Sequence, residues 1–589
     1  MYRTHTCGEL NRSHETIEVT LAGWVARIRD HGNIQFLDLR DQYGFTQVVC
    51  SLPELSQDLL DILKEVKPET VLQLTGTVFL RSQETVNPKL STGEIEVKLS
   101  SLTILSTTQP LPFEIGESSE VGDATRLTYR YLDIRGDSLK ETLLFRNLFL
   151  HTLREFFFQE KFIEVETPML TRSTPEGARD FLVPSRLSPG TFYALPQSPQ
   201  LFKQILMVSG LDRYYQVARC FRDEDLRADR QPEFTQLDLE MSFVEQDDVM
   251  SLIERFLQYT IAATTGITDP ISFPRYTYSE AMERFGTDKP DLRYTLEMQD
   301  ISSLCQGSGS DIIESLLSQG GIRAIVLPRG EPISLKEIDL LHQHVKDSGG
   351  QGIGWIRVRE EGIQSPLKKM LRPEWISKIQ KSLNLLPGSL LLFLGGEREW
   401  VCRTLGEVRG RILQKFPLEK NNMIQSCWVT DFPLFERNRD NGSLQSVHHP
   451  FTNPIPEDIP LLESDPLRVR AQAYDLVLNG VEIGGGSIRI HHGPLQERIF
   501  SLLDISKEES EEKFGFLLKA LQYGAPPHGG FALGLDRLIM LLCKKDSIRD
   551  VIAFPKTQKG VCLLTSAPSS VDFRQLRDLR IKVDVPAKE

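Results

Sequence analysis

The most informative segment of the chain reads Phe221-Arg222-Asp223-Glu224-Asp225-Leu226-Arg227-Ala228-Asp229-Arg230-Gln231-Pro232-Glu233-Phe234. Arginines and acidic residues alternate here between two strand-like runs, residues 214–217 and 234–243. A solvated loop would have the same composition. An arginine at the end of a strand, however, can reach a phosphate and bind its oxygens in a bidentate manner. The segment therefore indicates an anion-binding loop between two strands.

Two further segments flank this loop along the chain. Downstream, Gly530-Phe531-Ala532-Leu533-Gly534-Leu535-Asp536-Arg537 is a glycine-rich strand that turns into an apolar helix, and helix N-termini bind anions. Upstream, leucine periodicity predicts a helix over residues 138–159. The strand that follows, Phe162-Ile163-Glu164-Val165-Glu166-Thr167-Pro168, ends at proline.

These three segments, in this order, resemble the signature of class II aminoacyl-tRNA synthetases. Further segments resemble bacterial-type aspartyl-tRNA synthetases, namely residues 173–185, 197–203, 448–452 and 480–489. The resemblance covers essentially the whole chain. It implies an α+β multidomain protein with an N-terminal OB-fold β-barrel. It also implies a catalytic domain built on a six-stranded antiparallel sheet, and an inserted α/β domain.

The N-terminal region supports the barrel independently. Alternating or apolar runs separated by turn residues predict strands at 17–24, 34–39, 46–50, 71–79 and 94–99, with a helix at 58–66. A helix between the third and fourth of five strands is the order of an OB-fold, although another small β-barrel would fit the same pattern. The predicted domains are the OB-fold (1–105), a hinge (106–137), the catalytic domain (138–285 and 421–557), the inserted domain (286–420) and a C-terminal extension (558–589).

Composition narrows the class of protein. The chain has 589 residues, with 68 basic and 81 acidic side chains, so its formal charge of −13 excludes an overall basic coat for nucleic acid. The eight cysteines are scattered without a Cys-x-x-Cys pair, which gives zinc ribbons and redox dithiols little support. The N-terminus has no apolar leader and the run at 390–394 is too short to span a bilayer, so we expect a cytoplasmic protein.

Other catalytic motifs are missing from the sequence. Walker, nucleophile-elbow and zincin patterns do not occur. The run Gly484-Gly485-Gly486-Ser487 looks like a phosphate loop, but glycines within a strand more often permit close backbone packing.

The resemblance implies a two-step reaction, in which aspartate attacks ATP to give aspartyl-adenylate and a tRNA ribose hydroxyl then takes the aspartyl group. Both substrates bring their own reacting groups, so positioning and charge neutralisation carry the catalysis. Arg222, as the bridge between amino acid and α-phosphate, and Arg537, over adenine and the γ-phosphate, are the implied catalytic residues. The other implied ATP-binding residues are Asp223, Glu224, Gln231, Phe234, Glu482, Gly534, Leu535 and Asp536, and Phe234 alone would read as a strand core residue. Asp475 and Glu482 would hold Mg²⁺, although alone they would read as a solvent-facing pair.

The implied aspartate pocket is cationic. Arg489 and Lys203 would pair with the substrate's side-chain carboxylate, and lysine as a substrate would need acids there instead. Asparagine would leave the cations without a partner, and an unpaired buried charge is costly. The remaining implied aspartate-binding residues are Arg222, Gln200, Asp238, the lid residue Glu176 in the loop 174–179, and the pair His448 and His449, which alone would read as a turn.

The OB-fold carries the implied tRNA contacts. Phe36, Gln47 and Glu94 match family residues that contact anticodon bases, with Arg27, Arg29 and Arg40 on phosphates. Phe36 alone would more often be a barrel core residue. His31 stands in a turn where discriminating members carry a bulky aliphatic residue. It therefore favours the relaxed members that charge both tRNA(Asp) and tRNA(Asn). Gln83 is the second residue implied to take part in this discrimination. A relaxed enzyme would require a tRNA-dependent amidotransferase in the same cell to convert the misacylated aspartyl-tRNA.

The implied partners are L-aspartate, ATP with Mg²⁺, tRNA(Asp) and tRNA(Asn), and a second copy of the chain that pairs through residues 162–170, with neither DNA nor membrane. An enzyme for tRNA(Asp) alone remains open, as does an asparaginyl or lysyl relative, although Arg489, Lys203 and the large insertion argue against the latter. An inactive RNA-binding module would be expected to lose Arg222, Glu482 or Arg537, and all three are present.

Overall fold

The structure is a computed structural model of the chain. It describes residues 1–116, 120–174, 178–226, 229–330, 332–416, 418–421, 423–438 and 441–584. The chain forms two compact units, residues 1–125 and 126–589. Among the described residues, no helix is both long and apolar enough to cross a lipid bilayer.

The first unit is a closed five-stranded barrel with the strand order β1-β2-β3-β5-β4. Its elements are β1 (Glu18–Asp30), β2 (Ile34–Arg40), β3 (Phe45–Ser51), α1 (Gln57–Glu65), β4 (Val71–Leu80) and β5 (Ile95–Ser106). The predicted OB-fold order, with one helix between the third and fourth strands, is confirmed. β1 and β5 run six and seven residues further than predicted, because pairing continues into polar sequence where apolar alternation ends.

A series of helices and strands follows the barrel along the chain and precedes the insertion. These are α2 (Asp123–Thr128), α3 (Arg130–Arg135), α4 (Asp137–Gln159), β6 (Ile163–Glu164), β7 (Leu182–Pro184), β8 (Phe192–Ala194), α5 (Gln200–Val208), β9 (Arg213–Phe221), β10 (Glu233–Ser242), α6 (Gln246–Thr265), β11 (Arg275–Thr277) and α7 (Tyr278–Phe285).

The chain then leaves the main sheet and forms a separate five-stranded sheet with the order β12-β13-β16-β14-β15. Its elements are β12 (Met298–Asp300), α8 (Ser302–Cys305), α9 (Asp311–Ser318), β13 (Ile322–Leu327), α10 (Leu335–Asp347), β14 (Gly354–Arg359), β15 (Gly362–Gln364), α11 (Pro373–Ser382), β16 (Leu390–Gly395) and α12 (Arg398–Lys415). Two apolar clusters of its own, one on each face of the sheet, stabilise this insertion.

The chain returns to the main sheet at β17 (Ser426–Thr430), directly beside β11. The remaining elements are β18 (Phe435–Arg437), β19 (Leu444–Ser446), β20 (Ala473–Leu478), β21 (Val481–Ile488), α13 (Gly493–Leu502), α14 (Lys507–Leu521), β22 (His528–Gly534), α15 (Leu535–Leu542) and α16 (Phe573–Asp578).

The main sheet has the order β11-β17-β20-β21-β22-β10-β9-β6. The six strands from β17 to β9 are antiparallel, as predicted, and short parallel strands add one further strand at each edge. These edge strands span two or three residues, too short for a periodic sequence signal. The predicted strand after the long helix is correspondingly reduced to the two residues of β6.

Strand alternation gives the main sheet two different faces. In β10, Leu237 and Leu239 are buried in the largest apolar cluster, together with aromatic residues of α4 and α6. Asp238 and Glu240 point to the opposite face, because successive side chains of a strand alternate. The register places them opposite Ala532 and Gly530 of β22. A side chain at Gly530 would overlap the Glu240 carboxylate, so this glycine is required by close packing.

Candidate active site

A cavity of about 480 Å³ lies on the polar face of the main sheet. It brings together most of the residues implied for aspartate, ATP and the metal ion. Those lining it are Gln200, Lys203, Arg222, Glu224, Gln231, Phe234, Asp238, His448, His449, Asp475, Glu482, Arg489, Gly534, Asp536 and Arg537. Their positions along the chain span more than 300 residues, so the sheet and not local sequence assembles the site.

Two buried cations define one end of the cavity. The ammonium of Lys203 lies 3.0 Å from Asp238 and 3.2 Å from Glu240. The guanidinium of Arg489 donates two hydrogen bonds to the Glu240 carboxylate, at 2.8 and 3.1 Å. All four side chains are at most 2% exposed, so each charge depends on the others for compensation.

The two acids of this cluster have opposite pKa shifts. Burial raises the pKa of Asp238 to about 6, and the nearby charge of Lys203 offsets only part of that effect. Burial also acts to raise the pKa of Glu240, but the positive charges of Arg489 and Lys203 outweigh it and lower that pKa to about 2. Glu240 is therefore the permanent counter-charge of the two cations.

Three polar atoms of the cavity walls have no hydrogen-bond partner within the described residues. They are the amide nitrogen of Gln200, the second carboxylate oxygen of Asp238, and Nδ1 of His448. Buried polar atoms are normally paired, so these atoms are available to a polar ligand.

The two adjacent histidines have different surroundings. His449 Nε2 accepts a hydrogen bond from Arg489 at 2.8 Å, and burial together with that positive charge holds the pKa of His449 well below its usual value. His448 Nε2 lies 3.5 Å from Asp475. Burial acts to lower the pKa of His448, but the negative charge of Asp475 outweighs it and the net shift is upward.

Asp475 and Glu482 form a carboxylate pair on neighbouring strands. They belong to β20 and β21, whose pairing shifts register between Leu476 and Val477. Ile483 is the extra residue of this bulge and joins the apolar core, while Glu482 lines the cavity beside Asp475. A side chain at Gly485 would overlap Asp475, so the glycine run leaves room for this carboxylate.

Burial and the neighbouring charge of Glu482 raise the pKa of Asp475, against the opposing effect of His448. Burial acts to raise the pKa of Glu482 as well, but the ammonium of Lys289 and the guanidinium of Arg537 give a net downward shift. Oxygen donors of this kind suit a hard divalent cation that is completed by phosphate and water oxygens. Within the described part of the chain, no cluster of three or more His, Cys, Asp or Glu side chains is arranged to hold a metal ion by itself.

The implied nucleotide side is lined by cations and one aromatic ring. The guanidinium of Arg222 lies 5.1 Å from the centre of the Phe234 ring. Arg537 donates to the backbone oxygen of Glu482 at 3.0 Å and to Asp229 at 3.2 Å. Glu224 pairs with Arg230 at 2.6 Å.

Four other residues implied for ATP have structural partners. Both amide atoms of Gln231 are bound to the backbone of Lys556, at 3.0 and 2.7 Å. The carboxylate of Asp536 accepts from Arg146 at 2.6 Å and from the backbone of Thr235 at 2.9 Å. The side chain of Leu535 is wholly buried in the apolar core. Asp223 is exposed, and its backbone nitrogen donates to the backbone of Arg179 at 3.1 Å.

Sequence reasoning missed several charged residues of the site, among them Glu240 and Lys289. Glu240 lies two positions after Asp238 in β10, so strand periodicity could have placed it on the same face. Lys289 lies 2.8 Å from Glu482 but comes before β12, the first strand of the inserted sheet, and no local pattern connects it to the site. Glu176, implied as the lid residue, lies outside the described residues.

The residues implied for the anticodon lie on the outside of the barrel. Phe36 is half-buried, while its neighbours Leu37 and Leu39 fill the barrel core, so it is not a core residue. Arg29 donates to Gln47 at 3.1 Å and lies 5.7 Å from the Phe36 ring centre. The exposed imidazole of His31 packs against the same ring in a T-shaped arrangement, with the two ring centres 5.7 Å apart.

The other implied RNA contacts differ in their surroundings. Glu94 is exposed and pairs with Arg12 at 3.1 Å, and Gln83 lies in the exposed turn after β4. Arg40 is buried, and its guanidinium is bound to Glu69 at 2.8 and 2.9 Å. The expectation that Arg40 contacts phosphates is therefore wrong, because its guanidinium is buried against Glu69.

Comparisons with known proteins agree with this architecture. Residues 122–558 match the family described as tRNA synthetases class II (D, K and N), and residues 19–105 match the OB-fold nucleic acid binding domain. The aspartate–tRNA(Asp/Asn) ligase of Natranaerobius thermophilus is 50% identical over 583 residues, covering 99% of this chain and 100% of the relative. The aspartate–tRNA ligase of Geobacillus kaustophilus is 48% identical over 591 residues, covering 100% of both.

Solved structures show the same fold at lower identity. The asparaginyl-tRNA synthetase of Pyrococcus horikoshii complexed with asparaginyl-adenylate has a TM-score of 0.61 at 19% identity, covering 95% of this chain and 99% of that one. A structure described as a putative aspartyl-tRNA synthetase from Leishmania major has a TM-score of 0.60 at 19% identity, covering 94% of both chains. Because the family model matches residues 122–558 and a relative is 50% identical over 583 residues, the chain belongs to the class II tRNA synthetases of the D, K and N group. The predicted fold class is confirmed.

Proposed function

We propose that this protein attaches L-aspartate to tRNA through an aspartyl-adenylate at the expense of ATP, and that it charges both tRNA(Asp) and tRNA(Asn). The observation that carries the proposal is the buried pair of cations, Lys203 and Arg489, at one end of the cavity. A substrate carboxylate placed between them would be paired on both sides. Asparagine brings no charge to this place, and a site of this polar type discriminates by about 10⁴–10⁵.

The proposed chemistry of the first step needs no nucleophile from the protein. The α-carboxylate of aspartate attacks the α-phosphorus, the new carboxylate–phosphorus bond forms, and the bond to pyrophosphate breaks. Arg222 is the residue we assign to the charge shared by the carboxylate and the α-phosphate. Gln200 and Asp238, whose unpartnered polar atoms line the cavity, would orient the amino acid. Phe234 offers a ring face to adenine.

Asp475 and Glu482 are the residues that would hold Mg²⁺. Their carboxylates fit that ion, because they supply hard oxygen donors and leave room for phosphate oxygens. When bound, Mg²⁺ would neutralise charge on the departing pyrophosphate. Arg537 would bind the γ-phosphate from the N-terminus of α15.

The outer face of the barrel is the proposed anticodon contact. Phe36 would stack on a base, and Gln47 and Glu94 would hydrogen-bond to base edges, as OB-folds bind single-stranded loops. Arg27 and Arg29 would approach phosphates. The His31 ring, in contact with Phe36, stands where it can influence which anticodon base is accepted.

We also propose that the protein acts as a homodimer through residues 162–170. Ile163, Met169 and Leu170 of this segment are 49%, 38% and 52% exposed in the single chain. An apolar strip of this size, beside an edge strand of the main sheet, is suited to burial against a second copy.

Two measurements test the proposed function. The first is ATP–pyrophosphate exchange with aspartate, asparagine or lysine as the amino acid. Exchange with aspartate alone is expected, exchange with asparagine or lysine would identify another member of the family, and no exchange would indicate an inactive RNA-binding protein.

The second measurement is transfer of labelled aspartate to tRNA(Asp) and to tRNA(Asn) in parallel. Charging of both is expected. The relatives carry both names at similar identity, Asp/Asn at 50% and Asp at 48%, so overall similarity does not decide this point. Charging of tRNA(Asp) alone would make the enzyme a discriminating one.

A further inference from the structure

Lys289 reaches the catalytic cavity from the segment that leads into the inserted domain. Its ammonium lies 2.8 Å from the Glu482 carboxylate and lines the cavity with Arg222 and Arg537. The Lys289 side chain is 43% exposed, so its ion pair with Glu482 is not enclosed by the protein. It is a cation on the wall of the cavity that presently has only Glu482 as a close partner among the described contacts.

The backbone that carries Lys289 is fixed to the hairpin that carries Glu482. Arg293 binds Asp291 through two hydrogen bonds, at 2.8 and 2.6 Å, and donates to the backbone of Asn479 at 3.1 Å. Asn479 lies in the turn between β20 and β21, three residues before Glu482. The position of Lys289 relative to the carboxylate pair is therefore built into the fold.

The same segment is also fixed to α12 of the inserted domain. Gly286 has a positive φ of 68° and packs backbone to backbone against Gly406, where any side chain would overlap. Arg409 of α12 donates to the backbone oxygens of Leu296 at 2.6 Å and Asp291 at 3.4 Å. The insertion thus buttresses the segment that places Lys289.

We propose that Lys289 is a binding residue for the polyphosphate of ATP. The proposal rests on the proposed function, since it assumes ATP in this cavity. Asp475 and Glu482 would hold the divalent cation of the nucleotide, and the ammonium of Lys289, which lies beside Glu482, would then be free to contact phosphate oxygens. A lysine acts well as a mobile point charge on phosphate oxygens. The contact would be made with the β- and γ-phosphates and lost when pyrophosphate leaves.

The competing role is that of a counter-charge for Glu482 only. The two roles predict different effects of Lys289→Met. If Lys289 is only a counter-charge, its removal would change the affinity of every ligand of the cavity equally, or it would strengthen metal binding. If Lys289 binds the polyphosphate, its removal would weaken the binding only of nucleotides that carry β- and γ-phosphates.

The test is calorimetric binding of α,β-methylene-ATP and of aspartyl-sulfamoyl-adenosine, which lacks both outer phosphates, at a fixed magnesium concentration. Lys289→Met is expected to weaken α,β-methylene-ATP about ten- to a hundredfold and to leave the adenylate analogue unchanged. Lys289→Arg should restore most of the affinity. Lys415→Met is the matched control, because Lys415 pairs with Glu337 at 3.2 Å on the inserted domain, away from the cavity.

Equal weakening of both ligands, or unchanged affinity for α,β-methylene-ATP, would overturn the proposal. Failure of the proposed function would look different. In that case the unmodified protein would show no aspartate-dependent exchange and no binding of aspartyl-sulfamoyl-adenosine, whereas the effect of Lys289→Met on α,β-methylene-ATP could still be measured.

Discussion

Arg489 donates a hydrogen bond to His449 Nε2 at 2.8 Å, so the nitrogen of this imidazole faces a guanidinium. A proton on that nitrogen would point at a positive charge, and burial opposes it as well, which is why the pKa of His449 is far below its usual value. His449 is therefore an uncharged acceptor that helps to orient the guanidinium toward the cavity.

Removal of this acceptor should weaken aspartate binding. His449→Ala is expected to raise the KM for aspartate about tenfold in the exchange reaction, since hydrogen bonds to charged groups contribute roughly 1.5–3 kcal/mol. The KM for ATP should change much less. His344→Ala removes a partly buried histidine that contacts Glu407 on the inserted domain, and it should leave both values unchanged. An equal rise in both KM values for His449→Ala would mean general damage to the site.

Glu240 should be important for stability as well as for the site. Glu240→Gln removes the charge shared by Lys203 and Arg489 and leaves two buried cations with Asp238 alone. Breaking a buried ion pair in this way typically costs about 3–5 kcal/mol. We expect the calorimetric unfolding transition of the catalytic unit to fall by several degrees. Glu463→Gln, which breaks the exposed pair with Arg498, should have almost no effect, and a similar shift in both variants would contradict the prediction.

Asp238 makes the stability of the same cluster depend on pH in a predictable direction. Its folded-state pKa of about 6 lies above the unfolded value of about 3.9, so the folded protein holds an extra proton between these pH values. The contribution of protonated Asp238 to the free energy of unfolding is fully present below about pH 4 and is lost as the pH rises through about 6. The stability of the unmodified protein relative to Asp238→Asn should therefore fall between pH 4.5 and 7.

The comparison variant for this pH series is Asp458→Asn. The hydrogen bonds from Arg470 lower the pKa of Asp458, so its contribution is present above the unfolded pKa and is lost as the pH falls. In thermal unfolding of the three proteins between pH 4.5 and 7, the difference curve for Asp238→Asn should slope, whereas the curve for Asp458→Asn should stay level, because Asp458 titrates below this range. Parallel curves for the two variants would show that Asp238 is charged throughout the range.

The sequence predicts the order of the elements and most of the site, because each motif combines a local pattern with a special residue type. Arg222 follows a strand and Arg537 begins a helix, and both features are visible locally. The sequence does not reveal which charges meet. Lys203, Asp238, Glu240 and Arg489 come from α5, β10 and the end of β21, and only the register of the sheet brings them together. Lys289 depends on a contact between two domains that no local pattern encodes.

The sequence also does not show when a residue of a recognisable motif serves the structure and not the ligand. Gln231 and Asp536 belong to recognisable motifs, yet their polar atoms bind the Lys556 backbone, Arg146 and the Thr235 backbone. These hydrogen bonds join segments that are distant in the chain, so they stabilise the start of β10, which carries Phe234, and the start of α15, which carries Arg537. Hydrogen-bond satisfaction is a property of the folded site and cannot be read from spacing.

His31→Leu should narrow the choice of tRNA. The exposed imidazole packs in a T-shaped arrangement with the Phe36 ring, which we propose as the stacking platform for an anticodon base. A leucine there would replace a polar, adaptable ring by an apolar side chain that cannot hydrogen-bond to a base. We expect kcat/KM for tRNA(Asn) to fall about tenfold or more, with a much smaller effect on tRNA(Asp) and none on aspartate-dependent pyrophosphate exchange. Asn33→Leu changes an exposed residue of the same turn and should leave the ratio of the two tRNAs unaltered. If both variants reduced both tRNAs equally, the turn would contribute to affinity without selecting the base.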